Sequence, residues 1–194
     1  MNKKLGWIIG LLALVLLIGG ASVLYNRMSA DAAPPPVAAP PTETETTEEE
    51  TVEPVAAPDF TVFNSQGDPV QLSDLVGTPV ILNFWASWCS PCKSEMPDFE
   101  AAYQQYGDEI QFMMVNMTDN SQETLESASN FIADSGYTFP VFFDTQLSAA
   151  IAYGVTSIPA TYFVNAEGNL VAYGIGPLNL TALETGIEML TSTD

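Results

Sequence analysis

The stretch that decides the fold runs from Pro79 to Lys93 and reads PVILNFWASWCSPCK. Its first part is an almost continuous apolar run, which predicts a central buried strand over Val80–Trp85. A helical pattern follows over about Ser90–Tyr106, with a proline in its first turn. The only two cysteines of the chain, Cys89 and Cys92, therefore lie at the junction of the strand and the helix.

Alternating strand and helix patterns continue on both sides of this stretch. Further strands are predicted over Phe60–Asn64, Val70–Leu72, Ile110–Met117, Pro140–Phe143, Ala160–Asn165 and Leu170–Tyr173. Further helices are predicted from Asn120, where Glu123 completes a capping pattern, to Asp134, and over Leu147–Tyr153 and Thr181–Leu190. The order begins with units that require parallel strands and ends in an antiparallel hairpin. The sequence thus predicts an α/β domain with a mixed sheet and helices on both faces.

Two cysteines at this spacing are compatible with several kinds of site. A zinc or iron–sulfur centre needs four ligands, and the chain offers two thiols and no histidine. A purely structural disulfide across so short a loop would restrain the unfolded chain very little. The favoured interpretation is a redox-active disulfide between Cys89 and Cys92, with no metal and no cofactor.

The positions of the two thiols predict different roles for them. Cys89 lies at the helix N-terminus, where free N–H groups and the helix dipole stabilise a thiolate, so we expect it to be the more exposed nucleophile. Cys92 lies one turn further on, on the inner side, and is expected to resolve the mixed disulfide. Ser90 and Pro91 lie between them and are expected to tune the redox potential, while Pro91 keeps the first turn rigid.

Two charged residues follow on the same helix. Lys93 is the single cation of residues 59–194, against seventeen acidic side chains, and is expected to favour the Cys89 thiolate. Glu95 lies at the edge of the predicted buried stripe, close to the Cys92 sulfur, and is expected to carry protons to and from the thiols. The alternative for Glu95 is a solvated glutamate on the helix surface.

The first 25 residues predict a membrane anchor. Residues 1–4 form a basic cytoplasmic start, and residues 5–25 are an uncharged apolar signal-anchor segment that matches a hydrocarbon core of ~30 Å. The basic flank predicts a single-pass protein of the cell membrane, with its N-terminus in the cytoplasm and its main domain outside. A signal peptide cleaved after Ala32 is the alternative.

A linker and one domain make up the rest of the chain. Residues 26–56 are rich in proline, glutamate and threonine and predict a disordered spacer, which leaves residues 57–194 as the domain. The strong excess of acidic side chains repels phosphate backbones, so the sequence argues against nucleic acid as a partner. We expect a monomeric domain tethered outside the membrane.

Two motifs together resemble the thioredoxin superfamily: WCSPCK after a buried strand, and SIPAT over Ser157–Thr161. Other motifs resemble its membrane-anchored TlpA/ResA-like branch, namely APDF at 57–60, GD at 67–68, LSDLVG at 72–77, NFW at 83–85, EMP at 95–97 and the extra segment at 116–139. Asn83 stands where cytoplasmic thioredoxins carry a buried aspartate, which is the pattern of this branch. The resemblance covers about residues 57–192 and implies a thioredoxin-like fold with an N-terminal β-hairpin extension and a central insertion, preceded by one transmembrane helix.

The resemblance also implies roles for individual residues. Cys89 is then the nucleophile, Cys92 the resolving thiol and Glu95 the acidic residue beside the active site. Pro159 is expected to be a cis-proline that faces the disulfide, and Ile158 to offer backbone groups to a substrate. The residues expected to contact substrate are Trp88, Ser90, Pro91, Ile158 and Pro159.

The function implied by the resemblance is the reduction of disulfides in exported proteins. Apocytochrome c is one candidate substrate, and a membrane thiol carrier of the CcdA type is the expected electron donor. A thiol peroxidase of the peroxiredoxin group is one alternative, although such enzymes use a lone cysteine with a nearby arginine and no arginine follows Arg27. A non-enzymatic thioredoxin-like binding module is the other alternative, and the intact cysteine pair argues against it.

Overall fold

A seven-stranded mixed sheet forms the centre of the described chain. The computed structural model describes residues 54–191. The strands are β1 (Thr61–Phe63), β2 (Pro69–Gln71), β3 (Val80–Trp85), β4 (Gln111–Asn116), β5 (Val141–Phe143), β6 (Ala160–Val164) and β7 (Leu170–Ile175). The helices are α1 (Ser90–Tyr106), α2 (Leu125–Ser135), α3 (Ser148–Ala152) and α4 (Leu180–Thr191), with a 3₁₀ turn over Leu72–Leu75.

The strand order places the active-site elements at one end of the sheet. The order is β2-β1-β5-β4-β3-β6-β7, with β3, β4 and β5 parallel and the other strands antiparallel to their neighbours. The predicted element order and mixed sheet are confirmed. Because β6 runs opposite to β3, the beginning of β6 lies beside the end of β3. The Ile158–Pro159 segment and the cysteine pair therefore meet at this end.

Side chains of β3 alternate between two core layers, and all six residues of the strand are buried. Ile81 and Trp85 pack with residues of α1 and α4 on one face. Leu82 and Phe84 belong to the core cluster on the other face, together with residues of α3 and with Phe60 and Val62 at β1. Asn83 is the one polar residue of this strand, and its position between Ile81 and Trp85 places its side chain on the face covered by α1.

The helix of the central insertion begins later than the capping pattern predicted. α2 begins at Leu125, not near Asn120. The preceding segment is a turn in which Asp119 Oδ1 accepts the backbone N–H groups of residues 121–123. Asn120 has a φ of 58°, which a right-handed helix does not allow. Glu123 is buried and takes no part in a helix cap, so this prediction was wrong.

No helix within residues 54–191 has both the length and the apolar character needed to cross a membrane. The predicted signal-anchor segment at 5–25 lies outside the described residues, as does almost all of the predicted linker at 26–56.

Candidate active site

The two cysteines form a disulfide at the N-terminus of α1, with an S–S distance of 2.03 Å. Cys89 is the N-cap residue of α1, and the backbone N–H of Cys92 donates to Cys89 Sγ at 3.2 Å. The backbone N–H of Lys93 donates to the Cys89 carbonyl at 3.1 Å. After reduction, the Cys92 N–H and the helix N-terminus are placed to stabilise a thiolate on Cys89.

The two cysteines are less exposed than the sequence predicted. Cys89 is 3% exposed and Cys92 is 0% exposed, so the predicted order holds but both residues are buried. The neighbouring residues Trp88, Ser90 and Pro91 are exposed, and Trp88 is 48% exposed. An approaching partner therefore meets these three side chains before it reaches the Cys89 sulfur.

The segment before β6 lies against the disulfide. The Ile158–Pro159 peptide bond is cis, which confirms that prediction. Cys89 Sγ lies 3.8 Å from the Ile158 carbonyl oxygen. The N–H of Gly176 donates to the Pro159 carbonyl at 2.9 Å, which ties this segment to the loop after β7. The structure thus brings Ile158 and Pro159 to the cysteine pair from a distant part of the chain.

Glu95 is more deeply buried than the sequence predicted, which placed it at the edge of the buried stripe of α1. It is 2% exposed, so the solvated-glutamate alternative is wrong. Its Oε1 accepts a hydrogen bond from Asn83 Nδ2 at 2.9 Å, and its Oε2 accepts one from the Leu178 backbone N–H at 2.9 Å. Burial raises the pKa of Glu95 to about 8, against the lowering effect of these two hydrogen bonds, and the nearby Asp98 carboxylate raises it further.

A carboxyl group with this pKa exchanges its proton close to neutral pH. Glu95 lies three residues after Cys92 on α1, and both side chains are buried, so they share one face of the helix. Proton exchange between this carboxyl group and the resolving thiol stays a prediction.

The Lys93 ammonium group contacts an aromatic ring. Its Nζ lies 5.9 Å from the centre of the Phe131 ring, and that ring packs against Trp85 at 5.8 Å between centroids. The ammonium group thus forms a cation–π contact with the helix of the central insertion. The hydrogen bond to the Cys89 sulfur comes from the Cys92 N–H, and the effect of Lys93 on the thiolate stays a prediction.

Glu123 belongs to the surroundings of the site, and sequence reasoning missed it. Its carboxylate, 1% exposed, accepts hydrogen bonds from the Ser87 N–H at 3.1 Å, the Ser87 hydroxyl at 2.8 Å and Asn116 Nδ2 at 3.0 Å. Ser87 lies two residues before Cys89, so Glu123 fixes the loop that leads into the cysteine pair. No sequence pattern distinguished this role from helix capping, because the partners come from two other strand ends.

Removing the Glu123 carboxylate is expected to destabilise the fold. In Glu123→Ala the Ser87 N–H and the Asn116 amide lose their buried acceptor, which costs about 3 kcal/mol. Glu123→Gln keeps an acceptor oxygen and is expected to cost less than about 1 kcal/mol. Urea denaturation of both variants measures the difference, and equal losses of stability would contradict this role.

A disulfide at a helix N-terminus, faced by a cis-proline segment on a mixed α/β sheet, defines a thioredoxin-like thiol–disulfide oxidoreductase. The AhpC/TSA family model matches residues 55–173. The chain therefore belongs to the AhpC/TSA family, and within it resembles the ResA-like thiol–disulfide oxidoreductases. The Cys89–Cys92 disulfide favours the oxidoreductase over the peroxidase alternative.

Three known proteins illustrate the similarity. The chain is 35% identical over 123 residues to the thiol-disulfide oxidoreductase ResA of Bacillus subtilis, covering 63% of this chain and 66% of ResA. It is 37% identical over 134 residues to ResA of Oceanobacillus iheyensis, covering 66% and 68% of the two chains. The crystal structure of the pneumococcal exposed lipoprotein thioredoxin Etrx1 from Streptococcus pneumoniae is 32% identical with a TM-score of 0.59, covering 67% of this chain and 98% of that one.

Proposed function

We propose that this protein reduces disulfides in exported proteins on the outer side of the cell membrane, with apocytochrome c as one candidate substrate. The observation that carries the proposal is the Cys89–Cys92 disulfide at the N-terminus of α1, 3.8 Å from the Ile158 carbonyl oxygen. The location is supported by the predicted anchor at 5–25 and by the description of the pneumococcal relative as an exposed lipoprotein. A membrane thiol carrier of the CcdA type is the proposed electron donor.

The reaction begins with the reduced pair. The Cys89 thiolate, stabilised by the Cys92 N–H, attacks a substrate disulfide, forms a mixed disulfide and expels one substrate thiolate. Cys92 then attacks Cys89 Sγ, which expels the second substrate thiolate and forms the disulfide seen in the structure. Two electrons pass from the cysteine pair to the substrate, and both substrate sulfurs leave as thiols after protonation.

Glu95 supplies the proton step in this scheme. Its carboxylate takes the Cys92 proton, so that a Cys92 thiolate is available for the second attack. The resulting carboxylic acid returns the proton to Cys92 when the cysteine pair is reduced again. The proposed contact surface for the substrate chain combines the exposed neighbours of Cys89 with the segment whose Ile158 carbonyl oxygen lies 3.8 Å from its sulfur. Its residues are Trp88, Ser90, Pro91, Ile158 and Pro159.

The reduction potential tests the direction of transfer. We expect the full-length chain to reduce insulin with dithiothreitol and to have a potential near the thioredoxin value of about −270 mV. The physical reason is that no cation contacts the Cys89 sulfur within the described residues, so its thiolate is only moderately stabilised. A potential near the DsbA value of about −120 mV would contradict a reducing role.

Two controls separate this proposal from its alternatives. Hydrogen peroxide consumption with the same donor tests the peroxidase alternative, and we expect none above the Cys89→Ser background.

Protease treatment of intact cells that express the full chain tests the location, and digestion of the domain from outside is the expected result. Protection of the domain until lysis would contradict an extracytoplasmic site.

A further inference from the structure

Residues 54–191 contain two buried asparagine–glutamate pairs, and the hydrogen bonds of the asparagine amide differ between them. In the first pair, Asn116 Nδ2 donates to Glu123 Oε1 at 3.0 Å. Asn116 Oδ1 accepts from the Thr118 hydroxyl at 2.8 Å. Both ends of this amide therefore have partners, and one orientation satisfies it.

The second pair leaves one end of its amide without a partner. Asn83 Nδ2 donates to Glu95 Oε1 at 2.9 Å and to Thr161 Oγ1 at 3.0 Å. Asn83 Oδ1 is buried and has no hydrogen-bond partner. A buried unpaired carbonyl oxygen is unfavourable. This orientation is compensated when Glu95 is charged, because Oε1 then accepts a charge-assisted hydrogen bond from Nδ2.

The contacts of Glu95 determine which of its oxygens takes a proton. Oε2 accepts the Leu178 backbone N–H, a group that can only donate, so a proton on Oε2 would meet no acceptor in that direction. The proton therefore binds Oε1, which faces Asn83 Nδ2 at 2.9 Å. In that state two hydrogen-bond donors face each other, and the observed amide orientation is no longer favourable.

We propose that the side-chain amide of Asn83 turns by about half a turn when Glu95 binds a proton, and turns back when the proton leaves. In the turned state Asn83 Oδ1 accepts the hydrogen bond of the new Glu95 hydroxyl. Nδ2 then occupies the position where Oδ1 had no partner, so one end of the amide is unpaired in both orientations. The Thr161 hydroxyl, which can donate as well as accept, rotates and donates to the same oxygen. One Nδ2–H···Oε1 bond breaks and one Oε1–H···Oδ1 bond forms, and the proton comes from the Cys92 thiol or from solvent.

The surroundings of Glu95 leave this amide as the group that adapts. The groups that face the carboxyl are Asn83 of β3, with Thr161 of β6 behind it, the Leu178 backbone after β7, and the Asp98 carboxylate of α1 itself. Asn83 and Thr161 can exchange donor and acceptor positions, whereas the Leu178 N–H cannot. Asn83 is thus a positioning residue that gives both protonation states of Glu95 a partner while the Leu178 contact stays in place.

This inference rests on the proposed proton-carrying role of Glu95, and nuclear magnetic resonance tests it directly. The full-length oxidised protein in detergent micelles, with ¹⁵N-labelled asparagine and ¹³C-labelled glutamate, is titrated through pH 8. We expect the Asn83 amide signals to shift with the same midpoint as the Glu95 carboxyl carbon, and the nuclear Overhauser contact between the Asn83 amide protons and Thr161 to disappear below it. The Asn116 amide is the internal control and is expected to keep its contacts throughout.

Glu95→Gln provides a fixed analogue of the protonated state. Its carbonyl oxygen must accept the Leu178 N–H, so its NH₂ group faces Asn83 and holds that amide in the turned orientation at every pH. An Asn83 amide that keeps its Thr161 contact in this variant, or throughout the wild-type titration, overturns the inference. Insulin reduction by the wild type is measured separately, so failure of the proposed function is distinguishable from failure of the amide to turn.

Discussion

A Cys92→Ser variant is expected to accumulate covalent complexes with its protein substrates. Cys89 still attacks a substrate disulfide, but no thiol remains at position 92 to attack the Cys89 sulfur, so the mixed disulfide persists. Serine is close in size to cysteine and retains the backbone N–H that donates to Cys89 Sγ. Turnover of insulin is expected to fall by about 10³-fold or more. Non-reducing electrophoresis detects the trapped complex, and added thiol releases it.

The matched control is Cys89→Ser. This variant retains the Cys92 thiol, which is 0% exposed and lies one turn inside α1. We expect the same loss of turnover but no trapped complex, because a substrate disulfide does not reach that sulfur. A complex that forms on Cys92 and not on Cys89 would reverse the two roles.

A Glu95→Gln variant is expected to lose most of the pH dependence of stability between about pH 4.5 and pH 8. The pKa of Glu95 is about 8 in the folded state and 4.5 for an ordinary glutamate, because burial disfavours the charged form. Through this window the folded state binds more protons than the unfolded state, so the free energy of unfolding falls as pH rises. The separation of the two pKa values corresponds to a loss of roughly 5 kcal/mol in the free energy of unfolding above pH 8.

Urea denaturation of the oxidised protein at a series of pH values measures this effect, since the disulfide keeps the thiols from titrating. Glu109→Gln makes the same chemical change at an exposed position before β4 and is the matched control. The control is expected to follow the wild-type curve, whereas Glu95→Gln is expected to become relatively more stable as pH rises. A Glu95→Gln curve that runs parallel to the wild type would show that Glu95 does not hold its proton in the folded state.

Most of the fold was predictable because its signals are local. The apolar run of β3, the proline in the first turn of α1 and the alternating order of elements are read over a few neighbouring residues. The start of α2 was not predictable in this way. Asp119 satisfies three successive backbone N–H groups and closes a turn, and this competes with the capping pattern that Asn120 and Glu123 suggested.

In the candidate site, too, the features that depend on neighbouring residues were predictable, and those that depend on distant parts of the chain were not. The position of Cys89 at the N-terminus of α1 follows from the sequence, because strand, turn and helix are adjacent there. The approach of Ile158 and Pro159 was expected only from the resemblance to thioredoxins. Glu123 was read as part of a helix start, because only the folded chain brings its carboxylate to Ser87, which lies 36 residues away along the chain.

The sequence by itself determined the strand, the helix and the pair of thiols at their junction, because each depends on the spacing of neighbouring residues. Only the tertiary structure decided the electrostatic surroundings of those thiols. Asn83 meets Glu95 across 12 residues and Thr161 across 78 residues, and both contacts require the register of β3 with β6 and the packing of α1 over them. The depth of burial that raises the pKa of Glu95, and the unpaired oxygen of Asn83, exist only in that packed arrangement.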